Sequence, residues 1–444
     1  MLQPELVSLE PWAPHPTAAP LTERSGDTLA IAANGTRTCV GGWQAEFDGT
    51  RPRKAYRITW EVRFQDLDHE RDSLRCKAIW GEMSPDDATV RSNDIPAWDY
   101  LIPQRIAEDR LRFTRVLLAP KGAKQLTLRC SFRWSTKGES LWQIPTVEQV
   151  DKPDSHRPVK VAVVTGKADA RRGLISTVQD NIDYYVPLVE AACETGVDLV
   201  VLPEIALQWQ VQGSPIDLAV DLPGVETEIF AEIARKHSNF ILLGLIERDG
   251  DAVHNTAALL GPDGEVEGRY HKVHLAVVGE SESGILPGNG FPMFDTVIGR
   301  IGCNICMDSS AAESSRMVGL SGADFLLLPI MGDHRASLWS PGSPLFSEDR
   351  WKAIMRTRAM DNQLCMVVAR NYGPGSCIID RKGEILAWNE GDRDHIIATI
   401  ELEDGYRTWN SGCFREVNWM QRRPHIYESY VDEENKGSLL SGVY

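Results

Sequence analysis

Three segments far apart in the chain each present one reactive side chain after an apolar run. VDLVVLPEIA carries Glu204, GRYHKVHLA carries Lys272, and GRIGCNICMDSS carries Cys306. A thiol can attack a carbonyl, a carboxylate can take its proton, and a fixed cation can stabilise the resulting oxyanion. Alone, Glu204 would be an exposed strand-end acid and Lys272 a solvent-facing lysine. Together, the three residue types predict amide cleavage through a covalent intermediate.

The order glutamate, lysine, cysteine, each after a β-type run, resembles the carbon–nitrogen hydrolase (nitrilase) superfamily. Family-like segments begin with VKVAVVT, continue through FILLGLIERDGDAVHNTAALLGPDGEVEGRYHKVHL with its Asn255-Thr256 pair, and end with QRRPHIY. They cover residues 158 to 428 in family order. The resemblance implies an α/β fold, a four-layer α-β-β-α nitrilase-like sandwich.

The same resemblance implies roles for the reactive side chains. Glu204 is expected to be the general base, Lys272 the oxyanion holder and Cys306 the nucleophile. Because IGCNI reads as a strand and the residues after MDSS as a helix, the cysteine is expected at a strand-to-helix elbow. A helix N-terminus there would lower the thiol pKa, and the backbone N–H of Met307 would share the oxyanion with Lys272.

A second glutamate is expected after the lysine, since the family uses one to position the catalytic groups or the leaving amine. HLAVVGESESG offers Glu280 and Glu282. Glu280 lies eight residues beyond Lys272, the spacing of the aliphatic-amidase-like branch. We therefore expect Glu280 to fill this role and keep Glu282 as the alternative.

The residues after the nucleophile help to assign the branch. True nitrilases generally have Cys-Trp-Glu, whereas amidases and carbamoyl-amide hydrolases have Asp in the third place, as in Cys306-Met307-Asp308. Glu313 and Arg316 match a structural ion pair of the family. The sequence therefore favours an amidase or carbamoyl-amide hydrolase, with nitrile hydrolysis as the alternative.

A substrate that carries a carboxylate would need a further cation. His334 and Arg335, in LLLPIMGDHRASLW, follow the next apolar strand and are the candidates for substrate binding. The alternative is that both are charges of a surface loop.

Metal and redox chemistry are weighed against this interpretation. His271 and His274 flank Lys272 and are expected to pack or hydrogen-bond, not to bind a metal. Cys303 and Cys306 form a Cys-x-x-Cys pair, but no second pair with ligand spacing exists in the chain. Strand alternation also directs Cys303 away from Cys306, so no cofactor and no metal are expected.

The chain is expected to contain two domains. Residues 1–150 hold short β-rich runs between turn residues, which is typical of an all-β sandwich and is loosely similar to jelly-roll modules of the carbohydrate-binding type. A linker follows at 151–159, then the hydrolase domain at 160–428 and a polar tail at 429–444.

Seven of the thirteen tryptophans lie in the first of these domains. They are Trp12, Trp43, Trp60, Trp80, Trp98, Trp134 and Trp142. Tryptophans can stack on sugars, but most are expected to fill the core, with the face of Trp60 buried. A structural or active-site-covering role for the domain is favoured over ligand binding. An inert glycan-binding or scaffold protein is the alternative from another function class.

Composition limits the partners. The net charge of −16 argues against nucleic acid and anionic membranes, both of which select basic surfaces. The N-terminus lacks the pattern of a signal peptide, and no apolar run reaches the length of a membrane helix. The nine scattered cysteines suit a reducing compartment. We expect a cytoplasmic homo-oligomer, a dimer or larger, that acts on a small amide or carbamoyl substrate.

Overall fold

The computed structural model describes residues 3–81, 97–119, 125–152, 157–166, 174–277, 279–340, 343–402 and 414–431. Within the predicted linker and tail, residues 153–156 and 432–444 lie outside this description. Contacts divide the chain into two compact units: Met1–Ser155 with Arg407–Tyr444, and His156–Tyr406.

The first unit contains two antiparallel sheets. In spatial order, one sheet consists of Glu5–Trp12, Val40–Asp48, Leu126–Arg133, Leu74–Trp80 and Ala97–Tyr100. The other consists of Leu21–Ser25, Thr28–Ala32, Glu139–Trp142, Ala55–Gln65, Arg110–Leu118 and Ile102–Ala107, with Thr146–Val150 also paired to Ala55–Gln65. A single-turn helix, Glu70–Ser73, precedes Leu74–Trp80.

Residues from both sheets share one apolar core, in which tryptophans are prominent. Trp43, Trp60, Trp80 and Trp142 are buried, whereas the side chain of Trp134 is exposed. Trp60 packs edge-on against Trp142 at 5.6 Å between ring centroids and donates its indole N–H to the carbonyl of Gln143 at 2.7 Å. The expected burial of Trp60 is therefore confirmed, and the shared core supports the predicted sandwich.

Two helices near the end of the described chain, Phe414–Gln421 and Pro424–Val431, belong to the first unit. Arg75 donates to the carbonyl of Met420 at 2.8 Å, and Arg423 pairs with Asp72 at 2.7 Å. The sequence pattern instead assigns residues up to 428 to the hydrolase domain. These contacts are the physical reason for the difference, because they hold QRRPHIY in the first unit.

The second unit is built on two further sheets. The first runs Val266–His271, Ala252–Leu260, Phe240–Asp249, Leu199–Val201, Val159–Val164 and His395–Ile400, with Val220–Asp221 paired to Phe240–Asp249. The second runs Met293–Thr296, Gly299–Cys303, Phe325–Ile330, Cys365–Arg370, Cys377–Ile379 and Ile385–Trp388. A ribbon of Ser337–Ser340 and Ser343–Phe346 stands apart from both sheets.

Strand alternation separates two cores in this unit. Val161 and Val163 belong to a core that also holds Ile301 and Phe325 of the second sheet. The alternate residues, such as Val164, belong to a core shared with helices. The two sheets therefore share one core, as the predicted four-layer order requires.

The described helices of the second unit are Val178–Cys193, Pro215–Leu218, Val225–His237, Ala312–Leu320 and Glu348–Asn362. A threonine or serine side chain caps the N-terminus of the first, second and last of these. Before the first of them, Thr177 and Asp180 form a reciprocal capping box, and Ile182, Tyr185 and Val189 are buried on one face. Among the described residues, no helix is long and apolar enough to cross a membrane.

Candidate active site

The three reactive residues follow strands of both sheets. Glu204 comes three residues after Leu199–Val201, and Cys306 comes three residues after Gly299–Cys303. Lys272 comes directly after Val266–His271. Side chains at such strand ends are free of the sheet's packing, so they can converge on one site.

The backbone around two of these residues is closely fitted. A Cβ at Gly244 would lie only 2.1 Å from the carbonyl oxygen of Pro203. Only glycine at this position allows the backbone before Glu204 to pack so closely against the neighbouring strand. Ile205 and Cys306 have φ angles of 42° and 39°, in the left-handed region. Each such non-glycine residue costs on the order of 1–3 kcal/mol and persists only where its surroundings enforce it.

Lys272 lies between two carboxylates. Its Nζ is 2.8 Å from Oε1 of Glu204 and 2.7 Å from Oε2 of Glu280. Asn255 donates through Nδ2 to both acids, at 2.9 Å to Glu204 and 2.6 Å to Glu280. Lys272 and Glu204 are each only 1% exposed, and Glu282 is exposed at the surface. The structure therefore brings Glu280, rather than Glu282, to the lysine.

Main-chain and amide donors fix the two glutamates. The backbone N–H of Met331 donates to Oε2 of Glu204 at 3.2 Å, and Asn371 donates to the Glu204 carbonyl at 2.6 Å. The backbone N–H of Ala276 donates to Glu280 at 2.6 Å. These bonds hold both acids in one orientation around the ammonium.

The cluster keeps its lysine charged. Burial alone would lower the pKa of Lys272, but electrostatic interactions with Glu204, Cys306 and Glu280 outweigh this effect. The pKa of Lys272 therefore lies above its usual value. A permanently protonated, desolvated ammonium is suited to stabilise a developing oxyanion.

The Cys306 thiol is almost fully buried, and its pKa behaves differently from the sequence-based expectation. Burial, together with the charge of Glu204, raises the pKa of Cys306 to about 12, although Lys272 and a hydrogen bond from Met331 oppose this. Residues Cys306–Ser310 form a 3-10 turn, and the α-helix starts only at Ala312. The expected lowering by a helix N-terminus is thus wrong, and the resting thiol is protonated, with its Sγ 4.0 Å from the carbonyl oxygen of Gly332.

Asp308 shapes the turn that carries the cysteine. Its Oδ2 accepts from Tyr270 Oη at 2.6 Å and from the Ile305 N–H at 2.8 Å. Its Oδ1 accepts from the backbone N–H of His274 at 2.9 Å, and it also contacts the His274 ring at 2.8 Å. This acid therefore ties the nucleophile turn to the segment that follows Lys272.

The flanking histidines, Cys303 and Met307 are the remaining residues that the sequence singled out near the nucleophile. His271 contacts Glu247 at 3.0 Å, so both flanking histidines are hydrogen-bonding residues as expected. Cys303 is fully buried in its strand, where burial raises its pKa, and the eight described cysteines are free thiols. In the described part of the chain, no group of three or more potential ligand side chains could hold a metal ion. Met307 lies in the 3-10 turn beside Cys306.

His334 and Arg335 lie in a 3-10 turn, His334–Ala336, beyond the strand Phe325–Ile330. The Arg335 guanidinium contacts Asp333 through Nε at 3.0 Å and through Nη2 at 2.5 Å. Nη2 also donates to the carbonyl of Ser309 at 2.5 Å, and His334 is exposed. Arg335 therefore braces the nucleophile turn, and substrate binding by either residue stays a prediction.

Sequence reasoning missed the two asparagines that hold the acids. Asn255 stands in the strand Ala252–Leu260, whose residues are nearly all buried, and Asn371 follows the fully buried strand Cys365–Arg370. A polar side chain inside or at the end of such a run must find a partner, and this signal could have identified both. Glu313 and Arg316, by contrast, form no ion pair in the described structure, where Arg316 donates to the Asp361 carbonyl.

The sequence of the chain matches a known family. The family model for carbon–nitrogen hydrolases matches residues 160–409. Because that match spans more than half of the chain, the protein belongs to the carbon–nitrogen hydrolase family.

Individual relatives cover about half of the chain. A nitrilase from Pyrococcus abyssi is 31% identical, over 48% of this chain and 81% of the relative. A citrullinase from Francisella tularensis is 30% identical, over 46% of this chain and 74% of the relative. An omega-amidase from Xenopus laevis is 29% identical, over 48% of this chain and 75% of the relative. A solved amidase structure from Nesterenkonia sp. aligns with a TM-score of 0.48 at 19% identity, over 63% of this chain and 98% of that chain.

Proposed function

We propose that this protein hydrolyses a non-peptide C–N bond of a linear amide or N-carbamoyl compound through a cysteine thioester. The observation that carries the proposal is the buried Lys272 ammonium, held 2.8 Å from Glu204 and 2.7 Å from Glu280, beside a buried thiol. A thiol, a base and a cation in one desolvated site are the parts that acyl transfer needs.

In the first half-reaction, Glu204 takes the proton of Cys306 as the sulfur attacks the substrate carbonyl. The raised pKa of the thiol makes this base necessary, because little thiolate exists at neutral pH. Lys272 and the backbone N–H of Met307 stabilise the oxyanion. The C–N bond then breaks, and the proton held by Glu204 goes to the departing ammonia or amine.

In the second half-reaction, water replaces the amine. Glu204 accepts a proton from the water as its oxygen attacks the thioester carbonyl. The C–S bond breaks, the acid product leaves, and the proton returns to the Cys306 sulfur. Glu280 and Asn255 keep Lys272 and Glu204 in place through both steps, supported by their contacts of 2.6 to 2.9 Å.

Nitrile hydrolysis is the second candidate, and the similarity to a Pyrococcus abyssi nitrilase favours it. The relatives named omega-amidase and citrullinase, together with Cys306-Met307-Asp308, favour the amide and carbamoyl substrates. An inert glycan-binding or scaffold protein is disfavoured by the assembled cluster. Labelling by an active-site thiol probe, set beside binding to a glycan array, separates that possibility from an enzyme.

The decisive experiment is ammonia release from matched panels of amides, N-carbamoyl compounds and nitriles. We expect turnover of at least one amide or carbamoyl compound, and none by the Cys306→Ala variant. Turnover confined to nitriles would replace the first candidate with the second. Absence of turnover on all three panels, with no labelling by the thiol probe, would refute both.

A further inference from the structure

One cation near the site has no role in the chemistry above. Arg370 ends the strand Cys365–Arg370 and is only 5% exposed. Its Nε donates to the carbonyl of Met331 at 2.9 Å, and its Nη1 donates to the carbonyl of Pro374. Both contacts are to neutral carbonyl groups, so they leave the positive charge uncompensated.

No ion pair with a carboxylate reaches Arg370 within the part of the chain that the structure describes. Aromatic rings surround it instead, with Cζ lying 4.7 Å from the Phe346 centroid, 4.9 Å from that of Trp351 and 5.5 Å from that of Tyr372. Ring faces stabilise a guanidinium but offset only part of the cost of burying it. A buried, incompletely compensated cation is a receptor for an anion.

The free end of this guanidinium lies close to the nucleophile. A Cβ built at Gly332 would lie 3.4 Å from Nη2 of Arg370, while the Gly332 carbonyl lies 4.0 Å from Sγ of Cys306. Burial lowers the pKa of Arg370, and Cys306 is among the groups that oppose this. Arg370 and Cys306 therefore share Gly332 as a neighbour.

We infer that Arg370 is a specificity-determining residue that binds the carboxylate of an anionic amide substrate, and this inference rests on the proposed function. Nη2 donates to a carboxylate oxygen while Nε and Nη1 keep the group fixed. Desolvation makes such a charge-assisted bond strong. Gly332 alone lies between the Arg370 guanidinium and the Cys306 thiol. A substrate that reaches both groups therefore carries its carboxylate and its scissile amide on the same short carbon chain.

Arg335, the cation predicted from the sequence, differs in its surroundings. Asp333 already engages two of its nitrogens, and its side chain is 43% exposed. A neutralised, solvated guanidinium discriminates weakly between charged and neutral substrates. The two arginines are thus rivals for the same task, and they can be tested side by side.

The test compares kcat/KM for succinamate with that for butyramide, which has a methyl group in place of the carboxylate. The wild type should prefer succinamate by about tenfold or more, and Arg370→Gln should abolish most of that preference. Arg370→Lys should retain part of it, because it keeps the charge but loses the planar fork. Arg316→Gln, a matched surface arginine, should leave the ratio unchanged.

The ratio separates recognition from structural damage. Loss of the Nε contact to Met331 would disturb Glu204 and slow both substrates alike, whereas loss of the anion subsite slows only succinamate. A second readout uses the Cys306→Ala background, where calorimetry should show succinamate binding that weakens about tenfold with Arg370→Gln.

Three outcomes overturn the inference. In the first, Arg370→Gln lowers both rates equally, with succinamate binding to the Cys306→Ala protein unaffected. In the second, Arg335→Gln, and not Arg370→Gln, removes the preference. In the third, Arg370→Gln changes the pH dependence of Cys306 alkylation and leaves the substrate ratio intact, so that the arginine acts on the thiol. In each case amide hydrolysis by the wild type stands, whereas a wild type inactive on every panel refutes the proposed function itself.

Discussion

The two units bury charged groups in different ways. In the first unit, Asp72 and Arg75 are 3% and 4% exposed, and their partners are the exposed Arg423 and main-chain carbonyls of a helical segment. In the second, Lys272 and Glu204 are each 1% exposed and pair with each other beside a thiol. A buried charge alone therefore does not identify a site, because it can equally fasten one segment to another. Proximity to a nucleophile makes the difference.

The two cores are alike in their aromatic residues and differ in one charged residue. Aromatic rings fill both interiors, such as Trp60 and Trp142 in the first unit and Trp351 and Tyr270 in the second. Lys272 is the one charged residue among the twelve largest fully buried side chains in the described parts of the chain. Burying an ammonium is costly unless it is paired. The second unit accepts this cost where chemistry requires it, as functional sites commonly do.

Removal of the nucleophile should have the largest effect on turnover. Cys306→Ala should reduce turnover below about 1% of wild type while the protein stays folded, because a small apolar side chain fits a buried thiol site. Cys303→Ser, at the buried strand position, should retain most activity. Ammonia release and circular dichroism measure the two effects. Equal loss of activity at both cysteines would restore the redox interpretation.

The charged partners come next. Lys272→Ala and Glu204→Gln should each lower kcat by about a thousandfold or more, since the groups act as a unit and one oxyanion donor alone contributes 10²–10³. Steady-state kinetics on the best amide provides the measurement. A loss below tenfold for either variant, in a folded protein, would mean that the cluster is structural, like the one around Asp72.

Glu280→Gln should cause a smaller loss, about tenfold to a hundredfold, because the amide can still accept a hydrogen bond from Lys272. The matched control is Glu282→Gln, an exposed acid in the same loop, which should be close to wild type. Kinetics on both variants decides between them. A dead Glu282 variant beside a near-normal Glu280 variant would contradict the arrangement around Lys272.

Some of these features can be predicted from the sequence, and others cannot. Apolar runs ending in Glu204, Lys272 and Cys306 are local signals, so strand alternation and family order place them without coordinates. Asn255 and Asn371 stand out locally as polar residues in or after buried runs, but their contacts with Glu204 arise from long-range packing, so the local pattern does not name their partner. The C-terminal helices differ from the predicted domain boundary for the same reason, since their contacts to Asp72 and Arg75 join residues 351 and 345 positions apart.

The thiol pKa shows the same limit. A cysteine before a helical pattern favours a lowered value, but burial and the charge of Glu204 together raise it. Both causes depend on the folded surroundings. Local sequence therefore identifies the reactive group, and only packing decides its protonation.

This leads to a prediction about pH. Glu204→Gln removes a charge that raises the Cys306 pKa, so thiolate should form at lower pH than in the wild type, where the pKa is about 12. Lys272→Met removes a charge that lowers it, so the shift should have the opposite sign. Thiolate absorbance near 240 nm, measured between about pH 8 and 12 and corrected with the matching Cys306→Ala proteins, follows the change. Equal titration of all three proteins would show that Glu204 and Lys272 do not act on the thiol.

The smallest effect on turnover should come from the charged cluster of the first unit. Asp72→Asn removes the charge that Arg423 Nε contacts at 2.7 Å and that His425 approaches at 3.5 Å. Because Asp72 is 3% exposed, we expect a loss of about 1–3 kcal/mol in the free energy of unfolding. Turnover by the folded protein should stay within about twofold of wild type, since the cluster holds no nucleophile. Asp109→Asn is the matched control, as its pairing with Arg63 is exposed and adds little to stability. Urea unfolding and ammonia release measure both properties. An Asp72→Asn protein that keeps its stability but loses turnover more than tenfold would contradict this prediction. It would mean that the charged cluster around Asp72 contributes to catalysis and not to folding.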